Sequence, residues 1–434
     1  MLWNKEIEMA SLDRMRALQL ENLKKVLAHV YENVSFYKEK FDAIGFTPAD
    51  FNDFSDLAKL PFTFKNDLRD NYPFKLSAVP MSEVVRVHAS SGTTGRPITA
   101  TYTQHDLDMW GECCARVITA CGISKEDIIQ VSYGYGLFTG GLGIHQGAIP
   151  VGCTVVPTSS GVTERQVTLM RDFGVDGLFC TPSYALTIAE KASEMGVDIA
   201  KLKIRVGCFG AEPWSDEMRD EIEARMGIKA NNIYGLTELM GPGMSFSCHS
   251  HDGWLHINED HIYPEIIDPI TEEALPEGEI GELVFTSLTR QGMPLIRYRT
   301  RDISSLERKA CPNCERTLVK MKKVFGRTDD MIIISGVNVF PSQIESLLLE
   351  VPEVEPQYVI IIRKKGYLDA LSVDVEAKPH IYEQGQEVMQ ALAQKIGKRI
   401  HGVIGINVGV RLVAPKSIQR SEGKAKRVFD TRKM

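Results

Sequence analysis

The chain has 434 residues, of which 43% are hydrophobic and 25% charged, and its formal net charge is −7. This length and composition are typical of a globular protein with two or three domains. The acidic balance argues against nucleic acid as a bulk partner, because a phosphate backbone calls for a basic face. No apolar run approaches about 18 residues, which excludes an ordinary membrane-spanning helix.

The expected compartment follows from the N-terminal residues and the cysteines. Met1 to Glu6 mix charges and lack an apolar segment, so no secretory signal is visible. The nine cysteines are an odd number, and most lie in apolar segments rather than at the spacings of a disulfide framework. A reducing compartment is the natural interpretation, and we expect a cytoplasmic protein.

Residues 1–80 are predicted to form a helical preamble to the main domain. Apolar residues recur at helical spacing from Leu18 to Tyr31, and a Pro-rich, aromatic stretch connects this helix to the rest of the chain.

A loop rich in glycine and hydroxyl groups follows at Ser90 to Pro97. Its glycines allow close approach to an anion, successive N–H groups form a nest, and the hydroxyls add neutral donors. No Gly-Lys-Ser/Thr sequence follows, so this is not a Walker A loop. An ordinary surface loop is the alternative interpretation. We expect this loop to bind phosphate, and the residues concerned are Ser90, Ser91, Gly92, Thr93, Thr94 and Gly95.

Residues 81–328 are predicted to form a large α/β domain. Short apolar strands alternate with helical stretches up to about residue 300, which predicts helices packed over largely parallel sheets. From Asp268 to Arg299 the pattern becomes β-rich with turn signals, which suggests a smaller β subdomain.

After Asp329 the chain is predicted to form strand, helix, strand, strand, helix and strand, a compact ferredoxin-like α+β unit. We therefore expect a large domain at 1–328 and a small domain at 329–434. The turn at Thr328 to Asp330 marks the boundary.

Five further motifs follow one another along the chain, and their order is more informative than any one of them. The motifs are Gly210-Ala211-Glu212-Pro213, Tyr234-Gly235-Leu236-Thr237-Glu238, Tyr298-Arg299-Thr300-Arg301-Asp302, Gly326-Arg327-Thr328-Asp329-Asp330 and Ser421-Glu422-Gly423-Lys424.

With the phosphate-binding loop, this succession resembles the acyl-adenylate-forming superfamily over nearly the whole chain. The finer detail resembles the phenylacetate–CoA ligase family. This detail lies in Asn33-Val34-Ser35-Phe36-Tyr37, Leu60-Pro61-Phe62-Thr63, Asn71-Tyr72-Pro73-Phe74 and the run from Gly336 to Glu345.

The resemblance implies an ATP-dependent acid–thiol ligase, with an adenylating domain at 1–328 and a mobile small domain at 329–434. A carboxylate attacks the α-phosphorus of ATP to give acyl-adenylate and pyrophosphate, and the CoA thiol then displaces AMP. No protein nucleophile is needed, so catalysis comes from positioning and charge neutralisation.

The resemblance also assigns the ATP-binding residues. Glu238, beside Thr237, would bind Mg²⁺ through carboxylate oxygen, and a surface glutamate that begins a helix is the alternative. Asp302 would accept the ribose hydroxyls and Arg327 would lie near ribose or phosphate; a structural salt bridge is the alternative for both. Thr94 would also contact the α-phosphate. The adenine would be lined by Gly210, Ala211, Glu212, Pro213, Tyr234 and Gly235.

The small domain carries the remaining nucleotide and CoA assignments. Lys424 matches the lysine that neutralises charge during adenylation, with Lys426 as the local rival. Asp329 matches the hinge between domains, with a turn residue or helix cap as the alternative. Gly336 and Val337 resemble the wall of the pantetheine tunnel.

The acyl group is expected near a glycine-rich, aromatic segment at Tyr133 to Gly141. Backbone and ring faces there would meet a flat acyl group. We select Tyr135 and Phe138 as substrate contacts, and simple core packing is the alternative for either one.

A metal site is an independent prediction. Cys311-Pro312-Asn313-Cys314 has the spacing of a zinc knuckle. We select Cys248 and His256 as the other two ligands; the strand-like setting of His256 resembles the family, whereas His249 and His251 read as loop. A closed Cys₃His site would hold structural Zn²⁺. A redox CxxC pair is the alternative, although its expected βαβ context is missing.

Three functions compete. The first is an aryl-acid CoA ligase, with phenylacetate as the type substrate, which uses ATP, Mg²⁺ and CoA; the resemblance also implies a homodimer. An enzyme that loads an aryl acid onto a carrier-protein thiol shares every ATP motif. A zinc-stabilised binding protein that has lost catalysis leaves the phosphate loop, Glu238 and Lys424 unexplained.

Overall fold

The computed structural model describes residues 1–90, 97–248, 252–329, 331–334, 337–365 and 368–432. The chain forms two compact units. The first consists of Met1–Cys180, Leu202–Ala211 and Lys229–Val324, and the second of Thr181–Lys201, Glu212–Ile228 and Phe325–Met434.

The helices of the first unit begin at the N-terminal segment, where the predicted helical preamble is found. Ser11 caps α2, because its side chain accepts a hydrogen bond from the Arg14 amide. The helices are α1 (Lys5–Glu8), α2 (Leu12–Asn33), α3 (Ser35–Ala43), α4 (Lys65–Asp70), α5 (Gln104–Ala120), α6 (Thr139–Val151) and α7 (Thr163–Asp172), with 3₁₀ turns at Pro48–Asp50, Phe54–Lys59 and Met81–Glu83.

The strands of the first unit include a parallel run whose central members, Gly177–Cys180 and Val206–Gly210, are buried at every residue. Such strands have helices on both faces, so their sequences are nearly continuous apolar runs. The strands are β1 (Arg86–Ala89), β2 (Thr99–Tyr102), β3 (Ile128–Val131), β4 (Thr154–Val156), β5 (Gly177–Cys180), β6 (Val206–Gly210), β7 (Lys229–Leu236), β8 (Gly241–Phe246), β9 (Trp254–Ile257), β10 (Ile262–Ile267), β11 (Gly281–Ser287), β12 (Tyr298–Ser304), β13 (Leu306–Glu307) and β14 (Lys320–Lys322).

A nine-stranded sheet organises this unit, with the order β13-β14-β9-β8-β7-β6-β5-β3-β4. The strands β4, β3, β5, β6 and β7 are parallel, whereas β7 pairs with β8 in the antiparallel sense. The parallel half therefore ends at β7, and the carboxyl ends of β6 and β7 lie side by side at one edge.

Two antiparallel elements complete the first unit. The strands β1 and β2 pair from Arg86↔Tyr102 to Ala89↔Thr99. The strands β10, β11 and β12 form an antiparallel β-rich region. Of these, β11 lies within the predicted range 268–299, whereas β10 precedes that range and β12 extends beyond it. The preamble packs into the same core, because Leu23, Leu27 and Phe41 cluster with residues of β11 and β12.

The second unit combines two helices from the middle of the chain with the C-terminal region. Its helices are α8 (Pro182–Glu194), α9 (Asp216–Met226), α10 (Pro341–Leu349), α11 (Pro379–Tyr382) and α12 (Gln386–Ile404), with a 3₁₀ turn at Ile199–Lys201. Its strands are β15 (Gly326–Arg327), β16 (Ile332–Ile334), β17 (Val337–Val339), β18 (Val354–Lys365), β19 (Leu368–Ala377), β20 (Val408–Val413) and β21 (Val428–Asp430).

A four-stranded sheet with the order β20-β19-β18-β21 forms the core of the second unit. The predicted strand and helix succession is present, but β16 pairs with β17 in a separate hairpin. Strand β21 instead pairs with β18 in the parallel sense. The short connection between β16 and β17 favours local pairing of these two strands.

The predicted fold class is confirmed: a large α/β region with a β-rich part accompanies a small α+β region. The compact units change at residues 324/325, close to the predicted boundary at 328/329, and the second unit also takes up 181–201 and 212–228. The domain limits 1–328 and 329–434 therefore stay a prediction. Among the described residues, no helix has the length and apolarity to cross a membrane.

Candidate functional site

The carboxyl ends of β6 and β7 carry two of the predicted motifs, at the position where ligands bind in open α/β sheets. Close packing of the backbone requires glycine at one position in each motif. A Cβ atom on Gly210 would lie 2.1 Å from the Ile233 carbonyl oxygen, and one on Gly235 would lie 1.9 Å from that of Gly241. Ala211, which follows β6, has a positive φ of 70°, a conformation that clusters at functional sites.

The structure brings Tyr234 and Asp302 together. The Tyr234 hydroxyl donates to Asp302 Oδ2 at 2.6 Å. Asp302 lies on β12 and is 3% exposed, and its amide donates to Thr300 Oγ1. The residues predicted to contact adenine and ribose are thus adjacent.

Glu238 follows β7 and is 6% exposed. The Lys65 ammonium lies 3.3 Å from Glu238 Oε1, and Thr237 Oγ1 lies 3.3 Å from Thr139 Oγ1 at the start of α6. A buried carboxylate needs a cation or hydrogen-bond donors to offset its desolvation. The Glu238 carboxylate is therefore placed to bind positive charge.

Ser90 joins the two ends of the predicted phosphate-binding loop. Its amide donates to the Ile98 carbonyl at 2.9 Å, and its Oγ accepts from the Ile98 amide at 3.0 Å. The other predicted residues of this loop lie outside the described part of the chain; they are Ser91, Gly92, Thr93, Thr94 and Gly95.

The two predicted acyl contacts differ in their surroundings. Tyr135 is half-buried, its hydroxyl lies 3.3 Å from His145 Nδ1, and burial raises its pKa. Phe138 is 49% exposed and precedes α6. The Leu137 carbonyl between them accepts from the Ala89 amide and from His88 Nδ1, each at 3.0 Å. This segment is therefore fixed to β1, which leads into the loop at Ser90.

In the second unit, Glu212 binds the segment that carries Lys424. The Glu212 carboxylate accepts from the Ser183 amide at 2.8 Å and from the Ala425 amide at 2.9 Å. Thr181 Oγ1 donates to the Gly423 carbonyl at 3.0 Å. The backbone on both sides of Lys424 is thus held by hydrogen bonds within its own unit. Pro213, which follows Glu212, is exposed.

Lys424 and Lys426 are both exposed, and both line a cavity of about 1610 Å³ within the second unit. The Lys426 ammonium lies 5.0 Å from the centre of the Phe429 ring, a cation–π contact. Within the described residues, Lys424 forms no ion pair with a carboxylate.

Arg327 and Asp329 form a bidentate ion pair with distances of 2.9 and 3.0 Å. Val337 begins β17 and pairs with Ile334, whereas Gly336 lies outside the described residues.

The four predicted metal ligands converge in the first unit. Cys248, His256, Cys311 and Cys314 place one ligand atom each within 4.8 Å of one another. Cys248 Sγ lies 3.7 Å from Cys311 Sγ, and Cys314 Sγ lies 3.4 Å from His256 Nε2. Tetrahedral zinc with ordinary bond lengths requires separations of about 3.8 Å between sulfurs and about 3.6 Å between sulfur and nitrogen. The residues therefore fit a closed zinc site, while the predicted loop histidines His249 and His251 lie outside the described residues.

Sequence reasoning missed one polar residue near the predicted motifs and one long-range contact of a predicted residue. Lys65, the ion-pair partner of Glu238, stands two residues after the Leu60–Thr63 motif, and that proximity was the available signal. The Glu212 contact with Ala425 joins residues 213 positions apart, which no local pattern indicates.

Two family models match the chain. The model described as AMP-binding enzyme matches residues 19–289, and the model described as AMP-binding enzyme C-terminal domain matches residues 336–432. Among curated relatives, the phenylacetate–coenzyme A ligase of Aromatoleum evansii is 51% identical over 429 residues, which cover 98% of this chain and 96% of that protein. The phenylacetate–coenzyme A ligase of Escherichia coli (strain K12) is 50% identical over 427 residues and covers 98% and 97%.

A solved structure is similar throughout. It is a 2-hydroxyisobutyryl-CoA ligase in the postadenylation state in complex with R3-HIB-AMP, with a TM-score of 0.93 and 28% identity, and the match covers 99% of this chain and 92% of that one. The chain belongs to the AMP-binding enzyme family and, within it, to the phenylacetate–CoA ligase family.

Proposed function

We propose that this protein is an AMP-forming aryl-acid CoA ligase. It converts an aryl carboxylate, ATP and CoA into acyl-CoA, AMP and pyrophosphate through an acyl-adenylate. The observation that carries this proposal is the near-full-length identity of 50–51% with two phenylacetate–CoA ligases. Phenylacetate is accordingly the first substrate to test.

The first unit would bind the nucleotide. Tyr234 on β7 and Asp302 on β12 would contact adenine and ribose, and the 2.6 Å hydrogen bond between their side chains supports a shared site. Gly210, Ala211 and Gly235 would bring backbone close to the base. The loop from Ser90 to Gly95 would supply amides and hydroxyls to the phosphates, with Thr94 at the α-phosphate.

Glu238 is the proposed Mg²⁺ ligand. A single buried carboxylate suits Mg²⁺, which usually takes one or two carboxylates and completes its octahedron with water and phosphate oxygen. The ion would neutralise charge on the phosphates as pyrophosphate departs. Glu238 would hold the ion from its position after β7.

The second unit would supply the remaining cation and the CoA contacts. Lys424 neutralises charge that develops on the carboxylate and α-phosphate during adenylation. Glu212, Pro213 and Arg327 complete the nucleotide contacts, and Gly336 and Val337 line the path of pantetheine. Asp329 acts as the hinge that lets one site serve two reactions.

Tyr135 and Phe138 are the proposed acyl contacts. The Tyr135 ring stands edge-on to His145 with centroids 6.0 Å apart, so a flat acyl group would meet an aromatic edge or face there. Phe138, half-exposed beside α6, would close over an aryl group.

The test is a two-stage assay. The protein is incubated with ATP, Mg²⁺ and phenylacetate, benzoate or a short aliphatic acid, and pyrophosphate is followed with and without CoA. Acyl-CoA formed with an aryl acid supports the proposal. Pyrophosphate without acyl-CoA, followed by acylation of a pantetheinylated carrier protein, would favour the carrier-loading function instead, and no pyrophosphate with any acid contradicts both.

We further propose that Cys248, His256, Cys311 and Cys314 bind a structural Zn²⁺. The separations of 3.7 and 3.4 Å between ligand atoms support tetrahedral binding, and four protein ligands leave no open position for catalysis. The site would stabilise the loop that joins β13 to β14.

Metal analysis of protein purified without added zinc tests this site. We expect about one zinc per chain, and Cys311→Ser should lose the metal and lower the melting temperature, because the binding free energy of such a site is also folding free energy. Cys153→Ser is the control, since Cys153 is another buried free cysteine of the first unit. Active, folded protein without stoichiometric metal would contradict the proposed zinc site.

We also propose a homodimer, on the resemblance alone; sedimentation analysis decides it.

A further inference from the structure

The main chain that follows Glu238 is held by side chains from other elements. Tyr102 on β2 donates from its hydroxyl to the Met240 carbonyl at 2.9 Å. Trp110 on α5 donates from Nε1 to the Pro242 carbonyl at 2.8 Å. Arg290, after β11, donates to the Glu238 carbonyl at 2.9 Å and to the Leu239 carbonyl. We call Tyr102, Trp110 and Arg290 the carbonyl-binding cluster.

The cluster is buried and internally packed. Arg290 is 3% exposed, Tyr102 1% and Trp110 0%. The Tyr102 and Trp110 rings stack with centroids 5.2 Å apart, and the Arg290 guanidinium carbon lies 4.6 Å from the centre of the Tyr102 ring. Each donor is therefore fixed by its neighbour as well as by the carbonyl that it binds.

Arg290 is the member that contacts the Glu238 backbone directly. Within the described part of the chain, no carboxylate forms an ion pair with Arg290; its guanidinium also donates to the Thr101 carbonyl at 3.1 Å. The adjoining backbone is anchored, because Asp106 accepts from the Gln291 and Gly292 amides at 2.7 and 2.8 Å. A buried guanidinium that donates to three backbone carbonyls fixes the relative positions of β2 and the Glu238 turn.

We propose that Arg290 is a positioning residue for metal binding: it holds the Glu238 main chain so that the carboxylate meets Mg²⁺·ATP in one geometry. This inference rests on the proposed role of Glu238. Partners that orient a metal ligand typically change metal affinity by about 10–100-fold when they are removed. Arginine is required because lysine cannot donate to several acceptors from one planar group.

The test compares Arg290→Lys with Arg297→Lys. Arg297 is equally buried at 3%, but it donates to the Leu60 carbonyl and to Glu265, so its loss controls for the removal of any buried arginine. Binding of Mn²⁺ in the presence of ATP is measured by electron paramagnetic resonance, beside the Mg²⁺ concentration that gives half-maximal pyrophosphate release. Tyr102→Phe is a milder second variant, because it removes only the donor to Met240.

We expect Arg290→Lys to weaken Mn²⁺ binding about 10–100-fold and to raise the half-maximal Mg²⁺ concentration to the same extent. Tyr102→Phe should shift both in the same direction by less, and Arg297→Lys should leave both unchanged. Unchanged metal binding in folded Arg290→Lys, or in Tyr102→Phe if the former does not fold, overturns the inference, as does an equal shift in Arg297→Lys. Glu238→Gln separates the two claims: if it leaves Mn²⁺ binding intact, the proposed metal role of Glu238 fails first.

Discussion

Individual side chains in this protein are held in position by contacts with residues that lie far away in sequence. Lys65 pairs with Glu238 at 3.3 Å, and the Tyr234 hydroxyl binds Asp302 at 2.6 Å. His88 is fully buried, with Tyr102 and Trp110 edge-on to its ring. Because its Nδ1 faces the Leu137 carbonyl, that nitrogen carries the proton.

Lys424→Ala should slow adenylation by about 10²–10³-fold, the range for loss of one preorganised electrostatic group. In its proposed role the lysine acts where charge develops on the carboxylate and α-phosphate, so thioester formation from supplied acyl-adenylate should be slowed much less. Lys426→Ala is the control, because Lys426 contacts the Phe429 ring. The assignment is wrong if Lys426→Ala alone shows the selective loss.

His88→Asn should make the decrease in the free energy of unfolding at acid pH smaller than in the parent protein. Burial lowers the pKa of His88, with Arg86 and Arg290 acting in the same direction. As the pH falls, the unfolded chain therefore binds a proton at His88 at a higher pH than the folded protein does. The contribution of neutral His88 to the free energy of unfolding is complete above about pH 6.5, the ordinary histidine pKa, and declines as pH falls below it. Asparagine keeps a donor for the Leu137 carbonyl and does not titrate.

The measurement is the free energy of unfolding in denaturant at several values between neutral and mildly acid pH. Burial also lowers the pKa of His261, so the variant should lose less stability than the parent without becoming pH-independent. His105→Asn, at an exposed histidine, serves as the control. Parallel pH profiles for the parent and His88→Asn would contradict the expectation.

At the scale of elements, an irregular segment is held by side chains from other parts of the second unit. The segment around Lys424 has little regular structure of its own, yet Thr181 and Glu212 bind Gly423 and Ala425. Arg420 contributes a second anchor, because it pairs with Glu190 of α8 and with the buried Glu376 of β19. Regular elements thus position an irregular segment that the sequence marks as functional.

Glu212→Gln should lower the adenylation rate by about tenfold, because hydrogen bonds to a charged group contribute about 1.5–3 kcal/mol. The carboxylate accepts from two amides, those of Ser183 and Ala425, whereas a glutamine has one acceptor oxygen. Pyrophosphate release with ATP and phenylacetate measures the effect.

Glu217→Gln is the matched control for this experiment. Glu217 accepts from Ser346 Oγ at 2.7 Å within the same unit and contacts neither Gly423 nor Ala425. Equal rates in the two variants would show that the Glu212 contact does not position the lysine segment.

At the scale of the whole molecule, one polypeptide must support two reactions with different attacking groups. The predicted site residues are distributed over the two compact units, with Glu238 and Asp302 in the first and Lys424 and Asp329 in the second. A change of conformation at a few backbone positions is an established way to complete such a site.

Asp329→Pro should impair adenylation and thioester formation unequally, because proline fixes φ near −65° and removes an N–H. Asp329→Ala is the control, since it removes the same carboxylate partner of Arg327 without restraining the backbone. Pyrophosphate and thioester yields are measured on one preparation. Equal loss of both, or the same pattern in Asp329→Ala, would reject a hinge at this residue.

The sequence by itself determined the fold class, the family and the positions of the candidate residues. Apolar runs and turn residues are local signals, so the parallel strands and the C-terminal strand and helix succession could be predicted from them. The Cys311 to Cys314 spacing likewise indicated a metal knuckle before its partners were located.

Only the tertiary structure decided which residues meet. Strand β21 pairs with the distant strand β18, and Lys65, Glu212 and Arg290 acquire partners through contacts between distant segments. Such contacts depend on how whole elements pack, and no local pattern of residues encodes them. The physical reason is that a hydrogen bond or ion pair forms where the fold brings two groups within about 3 Å, whatever their separation along the chain.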